Sequence, residues 1–367
     1  MKIFFDYKIF FQQKYGGVSK YFIKLFENLS QFDQNIVRII SPIYKNKYLR
    51  SISNKNFVKF LYLKKDYRYT EYLGSFLNES FTKSYLYFYK PDILHLTYYS
   101  NKFCYKKKFP IVITVYDLIY EKFYKEYNYD RNLKRHFLEI ADHIICISNN
   151  TKKDLQYFYD IEDSKISVIH LGIDRPQFSY LKKIKIKNPY ILYVGDRRRY
   201  KNFFKFILAF SLSKFLKNNF NIVCFGGGDF TKEEINFFEK NGINLNNILQ
   251  FNGSDDYLNE FYKNSSLFVF PSIYEGFGLP IIEALNMNCA VACSNTNIFK
   301  EVGRDLVNYF DPLDEISIKK VMENTILNIK NEKIKINENS KRLSALLAGR
   351  NAQKRQAMSI KNCSYDK

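Results

Sequence analysis

Two carboxylates, Glu275 and Glu283, bracket the stretch Gly276-Phe277-Gly278-Leu279-Pro280-Ile-Ile. Before them runs Ser266-Leu-Phe-Val-Phe270, an apolar segment of strand length that Pro271-Ser272 brings to an end. Pro280 falls where the first turn of a helix accepts proline, because an N–H at that position has no intrahelical partner. The spacing therefore predicts strand, glycine loop, helix. Such a turn presents backbone N–H groups and the positive end of a helix to an anion. A cradle for phosphate alone gains nothing from two flanking acids. A ligand with phosphates in its middle and hydroxyls at both ends does, and a nucleotide sugar has that form.

A second constellation carries the opposite charge. Pro189-Tyr-Ile-Leu-Tyr-Val194-Gly195 reads as a buried strand, Asp196-Arg197-Arg198-Arg199-Tyr200-Lys201-Asn202 as the loop after it, and Phe203 onward as a helix. Cations so close together repel one another, and a diphosphate leaving group supplies the counter-charge. Fixed positive charge there stabilises the negative charge that grows as a glycosidic bond breaks. Further glycine turns follow strand-like runs. Gly16-Gly17 opens a helix whose apolar residues recur from Val18 to Leu29, and Gly226-Gly227-Gly228 follows Asn221–Phe225.

These residues resemble the retaining glycosyltransferases of family four. That family has the GT-B fold, an α/β architecture of two Rossmann-like doubly wound domains facing each other across a cleft. The resemblance is carried by Glu275 and Glu283 with the glycines between them, and by Val194-Gly195-x-Arg197-x-x-Tyr200-Lys201-Asn202. The opening Asp6…Gln13-x-Tyr15-Gly16-Gly17-Val18-Ser19-Lys20-Tyr21 carries it too. It implies that Glu275 bonds sugar hydroxyls and that the backbone of Gly276, Phe277, Gly278 and Leu279 faces the sugar and phosphates. Glu283 would accept from the ribose hydroxyls. Arg197 and Lys201 would hold the diphosphate, Lys201 being the more essential of the two. Gly16 and Gly17 would reach the donor, Gly226 and Gly227 the nucleotide, and Asn252 and Gly253 the base.

On the acceptor side, His95 in His95-Leu-Thr-Tyr-Tyr99 matches a family motif and would bind substrate. The family's usual histidine before Asp117 is Tyr116 here. A tyrosine hydrogen-bonds but does not titrate near neutrality, so a histidine general base does not carry over. Asp117 is left as the group that orients or accepts from the acceptor hydroxyl. Ser148 would face the cleft, and its place before Thr151-Lys-Lys-Asp154 also suits a helix cap; the two roles are compatible.

The resemblance implies transfer of a hexose, with mannose favoured, from a nucleoside-diphosphate sugar to a glycan or lipid-linked glycan in surface polysaccharide (lipopolysaccharide-type) biosynthesis. It implies no cofactor besides the donor and no metal, the cations above doing that work. A non-catalytic nucleotide-sugar-binding homologue and an epimerase of similar fold are the alternatives. No nucleic-acid module is present.

Length and composition fit this reading. The 367 residues suit two domains: an acceptor-side domain over 1–175, a lysine-rich linker over 176–188, and a nucleotide-sugar domain over 189–345. Residues 346–367 form an atypical tail. The family closes with Phe-Ser-Trp, a sequence that permitted codons for this tail yield in a shifted frame, so we read a frameshift after about Ala345. The six cysteines show no zinc spacing and read as reduced thiols of a cytoplasmic protein. No apolar run is long enough to span a membrane. The formal net charge of +20 calls for an anionic partner, although an AT-rich gene biases composition the same way. Between Tyr44 and Tyr69 bases alternate with aromatics, which suits either an anionic membrane surface at the inner face of the cell membrane or a solvated basic loop.

Overall fold

Short apolar runs buried on both faces make parallel strands, and this chain has two sets of them. In the computed structural model, residues 1–347 are described apart from 33, 53–55, 65–67, 100–107, 128–130, 173–185, 187 and 198. They form two compact units, one over Met1–His170 and a second that begins at Leu171. The linker therefore lies outside the described residues except for 186 and 188, and the tail lies outside them from 348 onward.

The first unit holds β1 (Lys2–Phe5), β2 (Ile36–Ile40), β3 (Ile43–Tyr44), β4 (Phe57–Val58), β5 (Leu61–Tyr62), β6 (Ile93–Leu96), β7 (Ile111–Val115), β8 (His143–Cys146) and β9 (Ile166–Val168). Seven of these form one parallel sheet in the order β4-β2-β1-β6-β7-β8-β9, and β3 pairs with β5 beside it. Phe5 is level with His95, and Val115 with Cys146, so the carboxyl ends of the central strands share one edge. Helix Gly17–Leu29 packs Phe22, Leu25, Phe26 and Leu29 against one face of the sheet. Leu86, Phe137, Leu138 and Leu155 cover the other.

The second unit holds β10 (Tyr190–Val194), β11 (Asn221–Phe225), β12 (Ile248–Phe251), β13 (Leu267–Phe270), β14 (Val291–Ser294) and β15 (Asn308–Phe310). All pairings are parallel, in the order β12-β11-β10-β13-β14-β15. Counted along the chain, the strands lie third, second, first, fourth, fifth, sixth. This is the order of dinucleotide-binding sheets, whose ligands sit beyond the carboxyl ends where the winding reverses. Here that place is between β10 and β13.

In the basic stretch after Tyr44 four of the cations are engaged within the protein, while residues 53–55 and 65–67 lie outside the described residues. Lys45 is 6% exposed and pairs with Glu71 at 2.9 Å. Lys59 donates to the carbonyls of Leu49 at 2.8 Å and Ile52 at 2.6 Å. Arg50 lies 4.4 Å from the Tyr62 ring centre and Lys47 4.6 Å from that of Tyr15. The aromatics serve as partners for the bases rather than as a separate face. Among the described residues no helix is long and apolar enough to cross a membrane. Cys146, Cys224, Cys289 and Cys293 are free and buried.

Two buried polar groups in the first unit make measurable demands. Lys134 and Glu121 are 2% and 0% exposed and meet at 2.8 Å, with Tyr159 donating to the same carboxylate oxygen at 2.7 Å. Removing one charge strands the other, so Lys134→Met is expected to lower stability by about 3–5 kcal/mol in urea unfolding, and Lys134→Met/Glu121→Gln to recover much of it. Asp6 is the other group. Burial raises its pKa to about 6, against the pull of two hydrogen bonds from Thr97. The folded chain thus keeps a proton that the unfolded chain releases. Stability is lost as pH rises from the ordinary carboxylate value through about 6. Asp6→Asn should flatten the melting temperature over that window.

Candidate functional site

Three turns at the carboxyl edge of the second sheet carry the polar side chains. Val194 is paired with Phe225, and Phe225 with Phe251; Leu192 is paired with Phe268. Strands β11, β10 and β13 therefore end side by side.

The turn after β10 runs into a short 3-10 helix, Arg199–Lys201, and then helix Phe203–Ser211. The turn after β13 runs through Glu275 to helix Leu279–Asn286, with Gly278 as its N-cap and Pro280 in its first turn. Ile273 N–H donates to the Tyr200 carbonyl at 2.8 Å and ties the two turns together. Across that tie, Lys201 Nζ meets Glu275 Oε1 at 2.6 Å, their side chains 15% and 13% exposed. The ammonium also lies 5.7 Å from the Phe270 ring centre, at the end of β13. Gly278 has φ +97°, and a Cβ there would press on Phe299 at 3.1 Å, so glycine sets the entry to this helix. Gly276 and Phe277 are buried in the loop.

Glu283 lies on that helix, and its carboxylate accepts from the buried Tyr262 hydroxyl at 3.2 Å. Asn252 and Gly253 are exposed after the outer strand β12, on the same edge.

Arg197 stands differently from its expected place on a diphosphate. Its side chain is 5% exposed and paired with Glu234. Its guanidinium also donates to the carbonyls of Gly226 at 3.3 Å, Gly228 at 3.1 Å and Asp229 at 2.9 Å. Gly226, Gly227 and Gly228 all have positive φ, and a Cβ on Gly227 would lie 2.7 Å from the guanidinium. Glycine is thus required where the loop wraps the arginine. Glu234 in turn completes a capping box with Thr231 at the start of helix Lys232–Lys240. Burial works to raise the Glu234 pKa, but the bonds from Arg197 and Thr231 hold it below the usual range. Glu234 was not singled out from the sequence; a Thr231-x-x-Glu234 capping signature was its visible trace.

In the first unit, Gly16 precedes helix Gly17–Leu29, and a Cβ on Gly17 would meet nothing within 4 Å. His95, expected to bind substrate, lies in the core. Its imidazole is 0% exposed, bonds the Thr114 hydroxyl at 2.9 Å, and packs on Phe5 and Phe22. Burial lowers its pKa to about 3, so it stays neutral. Ser148 is likewise 0% exposed and caps helix Asn149–Tyr159 by accepting from Thr151 N–H at 2.9 Å. Tyr116 packs edge-on against Tyr21, and burial drives its hydroxyl pKa well upward. Asp117 is half-buried; its carboxylate accepts from Ile119 N–H at 3.1 Å, and its carbonyl from buried Lys134 at 3.2 Å.

Comparison with known proteins follows the two units. Residues 15–176 match the family Glycosyltransferase Family 4, and residues 176–343 match Glycosyl transferases group 1. The chain is 29% identical over 229 residues to the O-antigen chain mannosyltransferase RfbU of Salmonella typhimurium, covering 58% of this chain and 60% of that one. It is 28% identical over 157 residues to a Campylobacter jejuni N-acetylgalactosaminyltransferase that acts on a diphospho-undecaprenol-linked sugar, covering 42% of each. The chain thus spans 60% and 42% of these relatives' lengths, less than two thirds of either. Among solved structures, sucrose-phosphate synthase from Thermosynechococcus elongatus superposes with a TM-score of 0.76 at 15% identity, over 98% of both chains. With both halves matched and the fold that of GT-B enzymes, the chain belongs to the family-four glycosyltransferases.

Proposed function

We propose that this protein transfers a hexose, with mannose favoured, from a nucleoside-diphosphate sugar to a hydroxyl of a glycan or lipid-linked glycan. The pathway is surface polysaccharide assembly of the lipopolysaccharide type, at the cytoplasmic face of the membrane. The observation that carries the reading is the Lys201–Glu275 pair at the reversal point of the second sheet. Mannose is supported by the resemblance to the Salmonella mannosyltransferase, and a lipid-linked acceptor by the Campylobacter relative.

The donor's diphosphate lies against Lys201 and the backbone of Gly278 and Leu279, with Glu275 on the sugar and Glu283 on the ribose. The acceptor oxygen bonds to the anomeric carbon as the carbon–oxygen bond to the diphosphate breaks, and the electron pair leaves with the phosphate. Lys201 stabilises that developing charge without a metal. Attack on the same face as departure retains the anomeric configuration.

A thermal-shift panel of GDP, UDP and ADP, followed by transfer assays with the matching sugars, tests this. One diphosphate should stabilise the protein, and Lys201→Ala and Glu283→Ala should each weaken that shift. Lys201→Ala should also slow transfer on the order of 10²–10³-fold. No stabilisation by any diphosphate, or donor conversion that needs no acceptor, overturns the proposal.

Arg197 acts through the glycine loop in this reading. Glu234→Gln, which removes the carboxylate charge facing Arg197, should therefore weaken nucleotide affinity as Arg197→Lys does, with kcat changed less than KM. An affinity unmoved by Glu234→Gln alone would return Arg197 to direct contact with the ligand.

A further inference from the structure

The carboxylate of Glu283 bonds a tyrosine that takes no part in bond making or breaking. Tyr262 is 0% exposed, and its hydroxyl donates to Glu283 Oε2 at 3.2 Å. Among the described residues this is the hydroxyl's one partner. Its ring packs edge-on against Phe268 of β13, the ring centres 5.3 Å apart. The preceding residue, Phe261, is also 0% exposed and packs on Phe225 and Phe251 at the ends of β11 and β12. Phenylalanine thus fills the core beside Tyr262 without a hydroxyl, so packing alone does not call for the Tyr262 oxygen. Burial and the neighbouring Glu283 push the phenol's pKa well up, so it keeps the proton that it donates. Helix Asp255–Asn264, which carries Tyr262, is fixed at both ends. Ser254 caps its start by accepting from Tyr257 N–H at 3.3 Å. At its close Ser265 Oγ donates to the Tyr262 carbonyl at 2.9 Å and lies 2.9 Å from Cys289 Sγ, just past the helix that carries Glu283. Tyr257 packs against Gly253, where a Cβ would lie 2.6 Å from the ring. One helix therefore seats both the Gly253 turn and the Glu283 carboxylate.

We propose that Tyr262 is a positioning residue, which aims the Glu283 carboxylate at the ribose hydroxyls of the donor nucleotide. A glutamate side chain reaches its carboxylate through several rotatable torsions. With Oε2 held by a buried phenol, the carboxylate cannot turn without breaking that hydrogen bond. The direction of Oε1 is therefore set before a ligand arrives, and less side-chain freedom is lost on binding. The inference rests on the ribose contact proposed for Glu283 and adds the group that aims it. Buried as it is, Tyr262 reaches the ligand only through Glu283. Its effect is thus confined to ligands that carry ribose hydroxyls.

The test is titration calorimetry of the full chain with GDP, UDP and ADP, then with the 2′,3′-dideoxy counterpart of whichever binds best. Tyr262→Phe keeps the ring and removes the hydroxyl. It should weaken the ribonucleotide on the order of tenfold and leave the dideoxy counterpart unchanged. Added to Glu283→Ala, the same substitution should cost nothing further, because the two side chains act as one unit. Glu283→Asp leaves the buried tyrosine untouched and draws the carboxylate back by a methylene. It should lose the preference for the ribonucleotide as fully as Glu283→Ala does. Equal loss on both ligands makes Tyr262 a structural residue and overturns the proposal. Wild-type affinity in Tyr262→Phe, or a ribose preference kept by Glu283→Asp, overturns it too, and either result leaves the donor site standing. A wild type that binds none of the diphosphates overturns the donor site and this proposal together.

Discussion

The contact between Lys201 and Glu275 joins residues 74 positions apart in sequence, and the candidate site of the second unit is arranged around it. Both side chains have lost most of their water. Each gives the other a charge-assisted hydrogen bond in place of that water. The Ile273–Tyr200 backbone bond fixes the turns that carry them, so little side-chain freedom remains to be lost on binding. The pair forms here because β10 and β13 are neighbours in space with the rest of the half-sheet between them in sequence. Chain winding sends the segments after these strands apart and leaves their first residues facing one another.

The first unit presents the opposite situation, in which the titratable groups near the strand ends have been taken out of play. His95 is held neutral, Tyr116 is held protonated, and Thr114 serves as hydrogen-bond partner to His95 and to Tyr21. Asp117 already accepts from a backbone N–H. An acceptor hydroxyl in the proposed reaction would meet a tyrosine at 116 and a core imidazole at 95, neither of them poised to take its proton. A departing diphosphate does not require one, since its own oxygens gain basicity as the bond breaks. The proposed same-face transfer would bring those oxygens to the incoming hydroxyl. The substitution of tyrosine for histidine at position 116 is therefore consistent with a reaction whose base is the leaving group.

What the sequence made legible follows from these constraints. Strands buried on both faces are written as unbroken apolar runs with glycine or proline beyond them, and this holds for β10, β11 and β13. Lys201 and Glu275 lie at fixed distances past such runs, so their type and edge could be read. The same burial hides orientation. When every residue of a strand is buried, alternation no longer says which side chains reach a surface. His95, inside the fully buried β6, shows this, since its motif fits a site while its ring fills the core. Pairings across the fold were silent for a related reason. Neither Glu234 beside Arg197 nor Lys134 beside Glu121 has a local pattern that names its partner, and with 57 lysines and arginines any one of them looks solvated.

The basic and aromatic stretch and the helix after it show how composition misleads about surfaces. Among the described residues between Tyr44 and Tyr62, Lys47, Arg50 and Lys59 sit on rings and carbonyls, so the charge that suggested an anionic partner is partly screened by the fold itself. The next helix, Arg68–Tyr89, answers demands made inside the unit. The two-stranded sheet of β3 and β5 offers an unpaired Ile43 backbone, and β1 is followed by the Tyr7 hydroxyl; both need buried partners. Asn78 and Glu79 supply them from helix Arg68–Tyr89, which also gives Leu86 to the apolar core. The buried side of this helix is therefore mixed, and a residue's polarity alone does not say whether it faces inward.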